Sequence, residues 1–178
     1  MAAATPQTVI LGLKVHSSDG LNLVKNALQE FGKVVQPVSI SSVYRVHTEA
    51  EISAHIHDLR SHAVFEGLVV AMKGFSTLSP EALNQALRHK EALFRNEALR
   101  QSVTVSFSFY GSATMMTPDL TLPDPIFHLQ PESVLPAAEI SPEFVHPVLR
   151  KTLRELAKPF VYAHWGEFVA QGKAMLDF

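Results

Sequence analysis

Apolar positions along the chain switch repeatedly between a period of two and a period near 3.6, and each switch marks a predicted element. The clearest segment is 101–111, QSVTVSFSFYG, where Val103, Val105, Phe107 and Phe109 alternate with Thr104, Ser106, Ser108 and Tyr110. Strict alternation of β-branched and aromatic residues predicts a strand with one buried face and one hydroxyl-lined face. Four large apolar side chains on one face suit packing against helices, which makes this the expected central strand of a sheet.

The rest of the chain supplies partners for it. Residues 8–15 (TVILGLKV) read as a buried first strand containing Gly12. Leu21, Val24, Leu28 and Phe31 then repeat at helical spacing, with Ser18 or Asp19 as cap and Gly32 closing the helix at C′. Residues 34–46 form a second strand whose start Pro37 places at an edge or bulge. Residues 49–62 are polar, with Ile52, Ile56 and Leu59 spaced for a short surface helix. A third strand covers 64–75, and Ser79-Pro80-Glu81 opens a helix that buries Leu83, Leu87 and Phe94. After Gly111 the segment LTLPDP (120–125) is barred from a regular ladder by its prolines. Residues 130–140 and 147–157 are two further helical pieces, the second opened by Pro147. The order β-α-β-β-α-β predicts an α+β, ferredoxin-like sandwich: an antiparallel sheet with helices on one face and extra C-terminal helices. Three regions are expected: a disordered segment 1–7, a domain 8–157 and an aromatic extension 158–178.

Composition narrows the chemistry by exclusion. A chain of 178 residues, 47% apolar and 18% charged, is long enough for one domain with a sizeable core. A formal charge of −2 gives no basic surface for nucleic acid or anionic lipid. With no cysteine there is no disulfide, thiolate nucleophile or zinc–thiolate site. The first apolar run lacks a preceding basic region and is too short to span a bilayer, so the cytoplasm is the expected location. No GxxxxGK[ST], strand-linked GxGxxG, GxSxG or HExxH occurs. Ser112 reads as a turn residue. His55, His57 and His62 suggest a metal site, but His55 and His57 are two apart and cannot share a helix face, which favours a solvated segment.

A set of pieces in a fixed order resembles the 6-hydroxymethyl-7,8-dihydropterin pyrophosphokinases of folate synthesis. These are ILGL, LNLVKNALQEFG, SSVYRV, FEGLVVAMKGFSTLSPEALNQAL, the strand ending FYG, LTLPDP and PAAEISPEFVHPVLRKTL, spread over roughly residues 8–156. The resemblance implies a ferredoxin-like sandwich and, for the family, transfer of pyrophosphate from ATP to the pterin hydroxymethyl group with two magnesium ions. Where the family's central strand carries Asp-x-Asp as magnesium ligands, this chain has Thr104 and Ser106. Gln101 stands at the position of a triphosphate-binding arginine, and Asp124 replaces a phosphate-facing histidine. Gln130 replaces another arginine, Glu132 the aromatic that stacks on the pterin, and Gly67 an asparagine that binds its edge. Phe65 keeps an aromatic, and the family's Gly-Ser-Asn after the first strand is Gly12-Leu13-Lys14.

These departures imply a divergent member with no catalytic or metal residues, whose pocket is lined by Phe65, Thr104, Ser106, Asp124, His128 and Gln130. A hydroxyl is a poor substitute for a carboxylate on magnesium, and an acid in place of a cation repels a triphosphate. Three readings stay open. The first is a catalytically degenerate domain kept to bind a partner or a pterin-like ligand, with no cofactor. The second is a working pyrophosphokinase using magnesium and ATP, its ligands drawn from Glu97 or Asp124. The third is a metal-independent enzyme using Asp124, His128 and Glu132. In the extension, Trp165, Phe168 and Val169 make an apolar stripe if helical. That stripe packs on its own domain or forms a protein-partner or homodimer contact.

Overall fold

A computed structural model describes residues 5–17, 19–46 and 67–176. In chain order its regular elements are β1 (Gln7–His16), α1 (Gly20–Phe31), β2 (Gln36–Ile40), β3 (Val43–Val46), β4 (Gly67–Ser76), α2 (Pro80–Leu93) and β5 (Ser102–Tyr110). There follow β6 (Met115–Met116), β7 (Thr121–Leu122), α3 (Pro131–Ile140), α4 (Leu153–Ala157) and β8 (Gly166–Ala170). The main sheet runs β5-β1-β4-β3-β8 with β2 also on β4, and every pairing is antiparallel. Without β8 this is the strand order of a ferredoxin-like sandwich, as the sequence pattern predicts. Among the described residues no helix is long and apolar enough to cross a membrane.

Alternation along each strand divides the core in two. Val9, Leu11, Leu13 and Val15 of β1, with Val103, Val105 and Phe107 of β5, pack against Val24, Leu28 and Phe31 of α1 and Leu83 and Leu87 of α2. The opposite face carries a smaller cluster in which Ile10, Ala71 and Phe109 meet Phe127, Val134 and Leu153. Each such large side chain removed from water contributes about 1.5–3 kcal/mol. The smaller cluster covers only part of its face, and the uncovered part is where a cleft forms.

Several expectations are corrected. Among the described residues, segment 101–111 is an edge strand, with β1 as its one neighbour in the sheet. Its outer side is closed by α2: Val105 N–H donates to Glu91 Oε1 at 3.0 Å, and Arg88 Nη1 donates to the Val105 carbonyl at 3.1 Å. Charged side chains bonded to edge backbone leave no template for another strand. Its alternation also breaks. Ile10 pairs with Phe109 and Leu11 with Phe107, so Ser108 is an extra, bulged residue. The bulge turns Phe109 onto the smaller cluster, opposite Val103, Val105 and Phe107.

The expected strand 34–46 is two strands around Ser41-Ser42, with a register shift between Pro37 and Ser39. Gly32 has φ −61°, so α1 closes in right-handed geometry without a C′ glycine. Residues 147–149 form a turn, and Thr152 starts α4 through a reciprocal bond pair with Glu155. The expected stripe of Trp165, Phe168 and Val169 is not helical, because residues 166–170 extend to pair with β3. The expected helix 49–62, its three histidines and Phe65 lie outside the described residues.

Candidate ligand cleft

On the face bearing the smaller cluster, a cleft of about 180 Å³ opens between β1, β4, β5, the loop 124–130 and the first turn of α3. Register sets its floor. Thr104 of β5 lies opposite Lys14 of β1, and Ser106 lies opposite Gly12, so hydroxyls and a lysine share the pleated surface. Val69 and Ala71 of β4 continue it.

The loop supplies the far wall. The chain turns at the cis peptide Leu122–Pro123, and Asp124 N–H then donates to the Ser108 carbonyl at 3.1 Å, tying the loop to the bulge. Asp124 Oδ1 accepts from Ile126 N–H at 3.1 Å, which holds its carboxylate in a local turn. Gln130 precedes α3 and accepts from Ser133 Oγ at 3.1 Å. Pro131 begins the helix, and Glu132 in its first turn suits the positive end of the helix dipole. Among the described residues the lining carries one cation, Lys14, and two acids, Asp124 and Glu132. At the end of β1, His16 is held below the usual imidazole range by burial first and by the charge of Lys14 second.

Thr104, Ser106, Asp124, Gln130 and Glu132 therefore come together in one cleft, with Gly12, Leu13 and Lys14. His128 does not join them; it lines a neighbouring apolar cavity whose wall Asp124 shares. Asp124, His128 and Glu132 thus do not share one site. Gln101 and Glu97 belong to the short hairpin closed by the Asn96–Gln101 bridge, away from the cleft lining. Sequence reading missed Val69, Ala71, Ile126 and Ser133 as lining residues. Only the pairing of β4 with β1 and the course of the loop 124–130 reveal them.

A magnesium site can be tested on the donors themselves. Among the described residues no group of three or more His, Asp or Glu side chains is placed to hold a metal ion. Thr104 and Ser106 offer neutral hydroxyls, and the lining carboxylates Asp124 and Glu132 belong to no such group. The described residues of the cleft therefore do not by themselves form a cage for a magnesium ion.

The strand order and cleft define a ferredoxin-like α/β sandwich with a cleft beside its edge strand. Within that class, the chain is similar to the pterin pyrophosphokinases in both sequence and fold. It is 24% identical over 161 residues to the 2-amino-4-hydroxy-6-hydroxymethyldihydropteridine pyrophosphokinase of Aquifex aeolicus (strain VF5), covering 86% of this chain and 95% of that protein. A triple mutant of Plasmodium falciparum HPPK-DHPS with SDX-DHP superposes with a TM-score of 0.70 over 90% of this chain, at 12% identity. The wild-type form with SDX-DHP gives 0.64 over 88%, at 10% identity. This chain spans 45% of each of those longer proteins. No established family profile matches it.

Proposed function

We propose that this chain is a divergent relative of the 6-hydroxymethyl-7,8-dihydropterin pyrophosphokinases that keeps the cleft for binding and has lost pyrophosphoryl transfer. The carrying observation is that Thr104 and Ser106, at the positions of the family's magnesium carboxylates, line the cleft beside Asp124 and Glu132. A metal clamp supplies several kcal/mol of transition-state stabilisation, and each 1.36 kcal/mol is tenfold in rate. Two hydroxyls cannot replace it. Among the described lining residues, the acids Asp124 and Glu132 disfavour a triphosphate that the metals would otherwise neutralise.

Size supports the same reading. A cleft of about 180 Å³ lies below the roughly 300–1,000 Å³ of ordinary small-molecule pockets, and pyrophosphoryl transfer needs two substrates side by side. A single small, uncharged, pterin-like heterocycle suits it better, with Glu132 and Gln130 available to a donor-rich ring edge. The C-terminal extension adds a candidate protein contact, because Phe168 is 57% exposed and Tyr162 98%.

Calorimetry with a non-hydrolysable ATP analogue and magnesium, alongside 6-hydroxymethylpterin, tests the reading. The expected result is no heat from the nucleotide at micromolar protein. Metal-dependent micromolar nucleotide binding overturns it.

A further inference from the structure

Between α3 and α4 the chain makes a closed excursion at 145–152, pinned at its base by the Val145–Thr152 bridge. His146 N–H donates to the Lys151 carbonyl at 2.8 Å, and Arg150 N–H donates to the His146 carbonyl at 2.9 Å. Pro147 has no N–H, so Val148 and Leu149 carry the first amides of this turn that need an acceptor. One atom serves both: His146 Nδ1 accepts from Val148 N–H at 3.2 Å and from Leu149 N–H at 3.1 Å. The ring thus caps the turn in the way a serine or aspartate oxygen caps a helix. A nitrogen accepting two N–H groups carries no proton, so the neutral ring holds its one proton on Nε2. His146 is only 3% exposed, and Nε2 is buried with no hydrogen-bond partner among the described residues.

An oxygen cap holds its turn across the neutral range, but an imidazole cap titrates there. A second proton on the ring must go to Nδ1, where two N–H groups already point at it, so both caps are lost together. The surroundings offer the cation little in return. Phe109 and Phe127 present their rings at 5.3 and 6.5 Å, and His128 stands edge-on at 6.4 Å. Asp124, from the same loop as His128, has its Oδ1 bonded to Ile126 N–H. Arg150 and Lys151 bond His146 through backbone alone. We propose that the turn 146–150 is an acid-released latch, closed while His146 is neutral and opened when Nδ1 takes a proton. Burial first, and the neighbouring His128 second, hold the ring below the usual imidazole range in the closed turn. The latch is therefore fully stable above about pH 6.5, the ordinary imidazole value, and weakens as pH falls below it. Val148 and Leu149 form part of the wall of a cavity of about 490 Å³ beside the β6–β7 hairpin, so release of the turn also opens that cavity. The Val145–Thr152 bridge and the bond pair of Thr152 with Glu155 confine the change to the excursion. This inference does not rest on the reading of the cleft, which no residue of the turn lines.

Amide hydrogen exchange of the intact chain, followed by NMR and corrected for the intrinsic pH dependence of exchange, tests the latch. Between about pH 7 and about pH 5, protection of the Val148 and Leu149 amides should fall about 25-fold, the factor by which a ring titrating near 6.5 in the open turn favours opening. Amides of β1 should not follow that fall, and nitrogen-15 shifts should place the ring proton on Nε2 at neutral pH. His128→Asn should keep the transition. His146→Asn, whose side-chain oxygen caps without titrating, should abolish it. Protection at Val148 and Leu149 that does not change with pH overturns the proposal, and this measurement on the unaltered chain decides even if the His146 variant does not fold. An equal fall across β1 also overturns it, because the whole chain is then unfolding. So do a ring proton on Nδ1 at neutral pH, loss of the transition in His128→Asn, or its survival in a folded His146→Asn.

Discussion

Ser42 and Glu139 lie 97 positions apart and are joined twice: Glu139 Oε1 accepts from Ser42 N–H at 3.0 Å and from Ser42 Oγ at 2.7 Å. The other oxygen, Oε2, accepts from the Tyr44 hydroxyl at 2.9 Å. One carboxylate thus pins the break between β2 and β3 to the last turn of α3, fixing how that helix lies over the sheet. Ser42 is buried, so Glu139→Ala strands a hydroxyl and an amide. The variant should lose about 2 kcal/mol, or roughly 4–8 °C in Tm for a chain of this size. Thermal melts check it, and Glu139→Gln, which keeps an acceptor for Ser42, should recover part of the loss.

Tyr44 gives this clamp a pH signature. Burial, then its bond to Glu139 and the charge there, hold the phenol above its ordinary value near 10. A folded value above the unfolded one means the associated stability is whole below pH 10 and is lost as pH rises through the folded value. Tyrosinate absorbance should therefore show a late-ionising component that vanishes in Tyr44→Phe. If the difference between the two titrations centres at or below pH 10, the clamp is absent in solution.

Phe109 tests the bulge. Its ring meets Phe127 at 4.7 Å and Phe144 at 4.9 Å, on the face opposite Phe107. Phe109→Ala should cost about 3–5 kcal/mol, as truncation of a fully buried aromatic does. A crystal structure of the variant should place the new cavity beside Phe127 and His146; a cavity against α1 would show that Ser108 is not bulged.

Most of the fold was legible because its elements obey single rules. Alternation exposed β1, β4 and β5, and the cap Ser79-Pro80-Glu81 fixed the start of α2. The face assignment of Phe109 was not legible. A bulge inserts one residue without changing local composition, so period-two counting carries straight through Ser108. The edge position of β5 was hidden for a related reason: Arg88 and Glu91 supply, from a helix, the polar groups that an exposed edge would need. In the extension, i, i+3, i+4 spacing favoured a helix, but free edge backbone on β3 and the Tyr44–Trp165 ring contact at 5.1 Å favour a strand. The cleft was legible at Thr104, Ser106, Asp124 and Gln130 only through the ordered set of resembling pieces, since no residue there carries a motif of its own.

Gly172 measures how firmly that extension is held. A Cβ added there would lie 1.9 Å from the Ser41 carbonyl oxygen, whereas one at Gly12 would meet nothing closer than 3.7 Å. Gly172→Ala should force the C-terminal segment off β2, costing about 1–3 kcal/mol and raising amide exchange across β8. Gly12→Ala should leave the melting temperature nearly unchanged. Equal behaviour of the two variants would mean the extension is loosely attached.

The central claim is that the cleft does not transfer pyrophosphate. Its most direct test is incubation of the full chain with magnesium, ATP and 6-hydroxymethyl-7,8-dihydropterin, following AMP. The account predicts AMP release indistinguishable from a protein-free control, also for Thr104→Asp combined with Ser106→Asp, because the basic triphosphate-binding segment is missing as well, Gln101 standing where its last arginine would be. Pterin-dependent AMP formation by the unaltered chain would contradict it.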